Sequence, residues 1–262
     1  MGQQEDRSTF AARRTSFDAL GATYDAVRPD WPSATVSWLL GSPTRNGRAH
    51  STLTVVDLGA GTGKGTRAVA GLGADVVAVE PADGMRATLT ESLHRLPREV
   101  AARVTVRGGG AESLPLADAS ADVVTAFQAW HWFDQERAAG EAARVLRPGG
   151  WLSMAWHHRL EDEGWQRELS SIVEREANQP DDPECPPTGP EFEPAETELF
   201  GYELRQGVDD LVRHASTWSY VAIHPQRDRV LAQVRALGER VAGTDGLLTI
   251  PMTTRCYRLR RR

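Results

Sequence analysis

The sequence has little cysteine and no long apolar run. Only two of its 262 residues are cysteines, Cys185 and Cys256, and neither lies in a CxxC pair or in a cysteine and histidine cluster with metal-ligand spacing. No stretch of about 18 apolar residues occurs, and the N-terminus lacks a basic segment followed by an apolar one. We therefore expect a cytoplasmic protein with no metal site and no contact with a membrane.

Basic residues are not gathered into a stripe. The formal net charge is -6, from 30 Lys and Arg against 36 Asp and Glu, and the one dense basic segment is the tail at 258–262. A phosphate backbone is bound through a basic surface, so these charges argue against nucleic acid as a partner. With 40% hydrophobic and 25% charged residues the composition is that of a globular protein, and the length suits one large α/β domain with additions.

Short apolar runs alternate with longer amphipathic stretches from residue 53 onward. This alternation is typical of βα units that build a parallel sheet. The predicted strands are 53–58, 75–79, 104–106, 122–127 and 151–156. The predicted helices are 64–71, 83–96 and 135–146, the last of them ended by Pro148 and Gly149, which turn the chain into the next strand.

The segments on either side of this pattern differ from it. Residues 1–50 are predicted to form an N-terminal helical lid, 51–160 the binding core, 161–245 a cap insertion with the remaining core helices, and 246–262 the last strand and a basic tail. Within the cap, 178–194 is a loop rich in proline and acid, followed by a helix at 225–241. The alternating run 247–259 predicts a final strand, with Pro251 at an edge or bulge.

A glycine-rich loop follows the first predicted strand. Asp57 ends that strand, and Gly59, Gly61 and Gly63 open the next helix, so backbone amides and the positive end of the helix face a bound cofactor. A dinucleotide fingerprint needs G-x-G-x-x-G, but Lys64 stands three residues after Gly61. The spacing thus favours S-adenosylmethionine, whose ammonium suits Asp57, although the loop alone leaves a nicotinamide cofactor open.

Further motifs follow in order along the chain. Glu80 ends the second predicted strand, where a carboxylate can accept both ribose hydroxyls of either cofactor. The segments 111–116, 128–134 and 146–150 read AESLPL, QAWHWFD and LRPGG. Together with the glycine loop they resemble the class I S-adenosylmethionine-dependent methyltransferases, in the branch of trans-aconitate and related small-molecule methyltransferases, over residues 17–257.

The resemblance implies a fold and a cofactor site. The expected fold is α/β, a Rossmann-like sheet of seven strands that is mostly parallel with an antiparallel last strand, flanked by helices and carrying the lid and the cap. The cofactor is S-adenosylmethionine and the product S-adenosylhomocysteine. Gly110 stands where many relatives carry Asp, which leaves the adenine edge to Ala111 or Glu112. The residues that the resemblance assigns to the cofactor are Tyr24, Arg28, Asp57, Gly59, Ala60, Gly61, Glu80, Pro81, Met85, Ala111, Glu112 and Gln128.

Candidate substrate residues follow the fourth and fifth predicted strands. His131 lies at the carboxyl edge of the sheet, where it could act as a base, orient an acceptor oxygen, or merely pack between two tryptophans. Arg159 could clamp a carboxylate. Trp132, Trp218 and Tyr220 complete the predicted substrate site. Asp134 is interpreted as the N-cap of the following helix rather than as a partner of His131.

These observations predict a methyltransferase for a small-molecule acceptor, acting on the oxygen of a carboxylate or hydroxyl. Three alternatives stay open: an N- or C-methyltransferase for a secondary metabolite, a nicotinamide-dependent oxidoreductase, and a non-catalytic protein that binds S-adenosylmethionine. The expected assembly is a monomer or a homodimer.

Overall fold

The computed structural model describes residues 25–41, 53–160, 164–173 and 188–262. The predictions for Tyr24, and for most of the proline-rich loop, lie outside these ranges. The described strands are β1 (Thr54–Leu58), β2 (Asp75–Val79), β3 (Val104–Arg107), β4 (Ala121–Phe127), β5 (Leu146–Arg159), β6 (Glu196–Gly207) and β7 (Leu247–Arg260). The described helices are α1 (Ser33–Leu39), α2 (Lys64–Gly71), α3 (Asp83–Leu93), α4 (Arg98–Ala101), α5 (Gln135–Val145), α6 (Trp165–Ile172), α7 (Val208–Ser216), α8 (Ser219–Ala222) and α9 (Arg227–Val241).

The seven described strands form one sheet in the order β3-β2-β1-β4-β5-β7-β6. Strands β1 to β5 pair in parallel, and the last strands run antiparallel to them. The predicted Rossmann-like fold is confirmed. Because the first, second and fourth strands are parallel neighbours, their carboxyl ends meet at one edge of the sheet, and the strand order reverses there between β1 and β4.

The central strands are covered on both faces. Strand β1 is buried from Val55 to Leu58 and β4 from Val123 to Ala126, as expected for near-continuous apolar runs in a parallel sheet. Helix α5 turns a row of buried alanines inward, and these small side chains allow a close approach to the sheet. Its first turn is capped by Asp134, whose Oδ1 accepts a hydrogen bond of 3.2 Å from the Arg137 N–H. The predicted N-cap is confirmed.

The chain divides into two compact units. The larger unit comprises Asp30–His157, Glu184–Phe200 and Thr254–Arg262, with a core that includes the fully buried side chains of Leu58, Trp130, Leu152 and Met154. The smaller unit comprises Met1–Pro29, His158–Pro183 and Gly201–Thr253. Its own core includes Leu169, Leu211, Leu237 and Ile250.

Several element boundaries differ from the sequence prediction. Strand β5 begins at Leu146, so the predicted turn at Pro148 and Gly149 is wrong. The segment continues as a bulged strand, with a shift of register between Ala121 and Val123 of β4 and backbone hydrogen bonds between Gly149, Gly150 and Arg261. Helix α3 ends at Leu93, three residues before the predicted end.

No bounds were predicted for strand β6 or for helices α4, α6, α7 and α8, although helices were expected within 161–245. Among the residues that the structure describes, no helix has both the length and the apolar character needed to cross a bilayer.

Candidate active site

The glycine loop lies at the carboxyl edge of β1, with the ends of β2 and β4 on either side. Leu58 is in register with Val79, and Asp57 is in register with Thr125. Gly59, Gly61 and Gly63 all have positive φ, at 62°, 56° and 89°, a region that L side chains rarely adopt. Glycine makes this sharp turn without strain, whereas another residue would be strained at each of these three positions.

The loop glycines differ in what a side chain would meet. A Cβ on Gly59 would come within 2.9 Å of the Ala129 Cβ and 3.1 Å of the Phe133 ring, and one on Gly63 within 2.7 Å of Leu89. A Cβ on Gly61 would meet, among the described residues, only the Gly59 carbonyl oxygen at 3.9 Å. Packing within the protein thus explains the first and third glycines, and Gly61 alone of the three presents bare backbone on an open side.

Glu80 lies beside the open backbone of Gly61, and two backbone amides hold its carboxylate in place. Its Oε2 accepts a hydrogen bond of 2.9 Å from the Gly61 N–H, and its Oε1 accepts one of 2.9 Å from the Ala82 N–H. Because both oxygens are anchored in this way, the carboxylate has a fixed orientation at the carboxyl end of β2. Arg86 donates to the carbonyl oxygens of Glu80 and Pro81 at 2.7 Å and fixes the backbone around the carboxylate.

Asp57 lies beneath the loop and is 1% exposed. Its Oδ2 accepts a hydrogen bond of 2.6 Å from the Thr66 hydroxyl, and its Oδ1 accepts one of 3.1 Å from the Thr125 hydroxyl. Burial raises the pKa of Asp57 to about 7, against the opposing effect of these two hydrogen bonds and with a smaller contribution from the negative charge of Glu80. The carboxylate ties β1, α2 and β4 together below the glycine turn.

The segment after β3 contacts the turn after β4. Ala111 is buried, and Glu112 Oε1 accepts a hydrogen bond of 3.0 Å from the Asp134 N–H. Met85, in the first turn of α3, is 4% exposed. The predicted adenine residues are thus anchored within the larger unit.

The end of β4 is strained. Gln128 has a φ of 55°, which is uncommon for a residue other than glycine and typical of functional sites. Its side-chain amide donates to the His157 carbonyl oxygen at 3.3 Å. The imidazole of His157 stacks on Trp31 with ring centroids 3.8 Å apart, and Trp31 also packs against Phe127 at 4.8 Å.

His131 lies on a short 3-10 helix, Trp130–Trp132, directly after β4. The residue is exposed, its ring centroid lies 4.7 Å from that of Trp132, and its Nδ1 accepts a hydrogen bond of 3.1 Å from the Trp156 indole N–H. The residues that flank this helix, Ala129 and Phe133, are the two that pack on Gly59. His131 is therefore held in a segment fixed to the glycine loop.

The other predicted substrate residues cluster in the smaller unit. The Arg159 guanidinium lies 4.8 Å from the centroid of the Trp218 ring, and Trp218 stacks on Tyr220 at 6.0 Å. Arg28 donates to the Thr217 hydroxyl at 3.1 Å and to the Thr217 carbonyl oxygen at 2.9 Å. Arg28 and Arg159, which lie far apart in the chain, therefore contact neighbouring residues, Thr217 and Trp218.

Several residues of these clusters escaped sequence reasoning. Gly65 was overlooked although it continues the alternation of glycines, and a Cβ there would overlap the Phe127 ring. No role was predicted for Trp31, and Trp156 was predicted only as the last residue of a strand. Thr66 and Thr125 carry no local pattern that marks them as partners of Asp57. Within the described ranges, no group of three or more His, Cys, Asp or Glu side chains could hold a metal ion.

Comparisons with known proteins assign the family. The methyltransferase domain family matches residues 56–154. A methyltransferase of Mycobacterium tuberculosis is 37% identical over 249 residues, 93% of this chain and 94% of that protein. A methyltransferase of Schizosaccharomyces pombe is 35% identical over 155 residues, 59% of this chain and 57% of that protein.

Solved structures show the same fold. One described as a type II methyltransferase from Anaeromyxobacter dehalogenans has a TM-score of 0.60 at 24% identity, covering 90% of this chain and 97% of that one. The YcgJ protein of Bacillus subtilis has a TM-score of 0.52 at 17% identity, covering 88% and 99%. The chain belongs to the S-adenosylmethionine-dependent methyltransferases, which decides against the nicotinamide-dependent alternative.

Proposed function

We propose that this methyltransferase transfers a methyl group to an oxygen of a small carboxylic acid or hydroxyl compound. The observation that supports the cofactor site is the open backbone of Gly61, which lies beside the Glu80 carboxylate that two backbone amides hold in place. Bare backbone permits close approach of a ligand, and a preset carboxylate can accept the two hydroxyls of a ribose. When bound, S-adenosylmethionine supplies an electrophilic methyl group.

The remaining cofactor residues support this site in different ways. We assign Glu80 to the ribose, Met85 and Ala111 to the adenine face and edge, and Gln128 to the side of the reacting methyl. Asp57 lies beneath the loop, is 1% exposed and already accepts a hydrogen bond on each oxygen, which favours a role in shaping the loop over direct contact with an ammonium. The remaining predicted cofactor residues lie at the same edge of the sheet, and we assign them to the lining of the cofactor site: Gly59, Ala60, Pro81 and Glu112.

The proposed acceptor is a carboxylic acid or hydroxyl compound, and the cluster of Arg159, Trp218 and Tyr220 in the smaller unit supports it. Arg159 presents a planar guanidinium against Trp218, and a guanidinium binds carboxylates through paired hydrogen bonds. Methyl transfer is an in-line displacement, so the chain mainly has to orient the acceptor and exclude water. Trp218 and Tyr220 offer the apolar surface for that exclusion, and Arg28 braces the backbone at Thr217.

A more distant relative supports oxygen as the methylated atom. A protein of Methylococcus capsulatus named malonyl-[acyl-carrier protein] O-methyltransferase is 39% identical over 104 residues, which are 38% of this chain and 36% of that protein. The alignment covers too little of either chain to transfer the acceptor itself. It favours an O-methyltransferase over an N- or C-methyltransferase.

The test is a transfer assay with S-adenosylmethionine and matched panels of small carboxylic acids, alcohols and amines, read by mass spectrometry. We expect methyl esters or ethers with the wild-type chain. We expect Arg159→Gln to raise KM for acids at least about tenfold while leaving S-adenosylhomocysteine affinity unchanged. Arg205→Gln, at an exposed arginine of the smaller unit paired with Asp245, is the matched control.

Two outcomes would redirect this proposal. Products from the amine panel alone would make the chain an N-methyltransferase. Tight S-adenosylhomocysteine binding without turnover on any panel would favour the non-catalytic alternative.

A further inference from the structure

The hydrogen bond between Trp156 and His131 determines what the imidazole can do. Trp156 lies near the carboxyl end of β5 and is 8% exposed. Its ring packs edge-on against Tyr257 at 6.0 Å, which fixes its orientation. Its indole Nε1 lies 3.1 Å from His131 Nδ1.

The direction of this hydrogen bond is set by chemistry. An indole nitrogen can only donate, so Nδ1 must accept. The protein groups that surround the ring disfavour its charged form and lower the pKa of His131 to about 4. His131 is exposed, and water moderates that effect. A pKa lowered from the ordinary value of 6.5 by any amount still leaves the imidazole mostly neutral at pH 7. A neutral imidazole whose Nδ1 accepts carries its one proton on Nε2.

Nε2 is therefore the only polar atom that the ring can still offer, and it is a donor. The ring is held in place from both sides, since its own segment packs on Gly59 through Ala129 and Phe133 and its Nδ1 is bound by β5. An imidazole with one nitrogen occupied and the other protonated has no lone pair with which to remove a proton.

We propose that Trp156 is a positioning residue for methyl transfer, which holds His131 as its Nε2–H tautomer so that His131 donates a hydrogen bond to the acceptor oxygen instead of acting as a general base. This inference rests on the proposed function. It also predicts the substrate selectivity. The chain methylates oxygens that are already ionised in solution, such as carboxylates, in preference to alcohols that must first lose a proton. The donated hydrogen bond orients the anionic oxygen and leaves its second lone pair for the methyl group.

The direct test reads the tautomer by long-range proton–nitrogen NMR on the full chain, with and without S-adenosylhomocysteine. We expect His131 to show a protonated Nε2 in the wild type and a mixture of tautomers in Trp156→Phe, which keeps the aromatic packing but has no N–H. Trp151→Phe is the matched control, because Trp151 lies on the same strand but packs in a different core cluster. A protonated Nδ1 in the wild type overturns the proposal, even if Trp156→Phe fails to fold.

A second test separates a donor from a base. Glutamine can place an N–H near the position of the imidazole Nε2 but cannot remove a proton. With an acid from the panels above, we expect His131→Gln to keep at least about a tenth of the wild-type kcat and His131→Ala to lose most of it. Adding Trp156→Phe to His131→Gln should cost no further activity, since the coupled partner is already gone.

Equal loss in His131→Gln and His131→Ala would show that a base is needed and overturn the inference. Failure of the proposed function has different signatures, namely products from the amine panel alone or tight binding of S-adenosylhomocysteine without turnover on any panel. The tautomer measurement does not depend on either result.

Discussion

At the scale of single residues, burial and hydrogen bonding have opposite effects on the ionisation of Asp57. Burial disfavours its ionised form, while two threonine hydroxyls stabilise it, and burial prevails. The folded chain therefore retains a proton on Asp57 at pH values where the unfolded chain has lost it. Stability falls as the pH rises from the unfolded pKa of 3.8 to the folded pKa of about 7.

Asp57→Asn should remove this pH dependence, because an amide cannot ionise. We expect the free energy of unfolding of Asp57→Asn, relative to the wild type, to grow by about 2 kcal/mol between about pH 5.5 and about pH 8. Urea unfolding at the two pH values measures it. Asp228→Asn, at a side chain that is 99% exposed, is the control for which no such growth is expected. A difference for Asp57→Asn that does not vary with pH would mean that Asp57 is ionised throughout this range.

At the scale of elements, the sequence pattern was sufficient for the first four strands of the sheet but not for the bounds of β5. Strands β1, β2, β3 and β4 are short apolar runs bounded by turn residues, and their limits were predicted to within one residue. Strand β6 was missed, although β3 at the opposite edge of the sheet was predicted from its β-branched residues. The charged and exposed residues of β6, such as Glu198 and Arg205, give a weak apolar alternation.

The candidate site was predictable in part, where its residues belong to local motifs. The glycine loop and Glu80 are local motifs whose spacing along the chain carries the chemistry. The pairs Trp156 with His131 and Trp31 with His157 join residues far apart in the chain. They arise from strand register and packing, for which a single sequence gives no pattern.

The packing of α2 on β4 yields a prediction about Gly65. A Cβ on Gly65 would overlap the Phe127 ring, so we expect Gly65→Ala to lower the free energy of unfolding by about 2 to 3 kcal/mol. Phe127→Leu makes room, and we expect it to recover at least half of that loss in the double variant. Chemical denaturation of the single and double variants measures both effects.

Gly71→Ala on the same helix is the control, because a Cβ there meets no described atom within 4 Å. We expect it to be neutral or slightly stabilising. If the Gly65 and Phe127 substitutions were simply additive, the two residues would not share the proposed contact.

At the scale of the whole molecule, each of the two units has its own apolar core. A ligand that binds only the folded chain stabilises it by mass action. We expect S-adenosylhomocysteine at about one hundred times its Kd to raise the unfolding temperature by roughly 5 to 10 °C. NADH at the same concentration should leave it unchanged.

Glu80→Ala should abolish most of that rise, because it removes the carboxylate that accepts from the Gly61 and Ala82 amides. Glu203→Ala, at an exposed position of the smaller unit, should keep the full rise. Thermal scans with and without the ligand make the comparison. An undiminished rise in Glu80→Ala would remove Glu80 from the cofactor site.

The central claim is that the cofactor lies against the bare backbone of Gly61, and calorimetric titration of S-adenosylhomocysteine into Gly61→Ala tests it most directly. A Cβ there has open space in the described structure, and the strain at a φ of 56° costs only about 1 to 2 kcal/mol of stability. The account predicts a folded variant that binds the ligand at least about tenfold more weakly than the wild type, with Gly71→Ala unaffected. Equal affinity in Gly61→Ala and the wild type would contradict it.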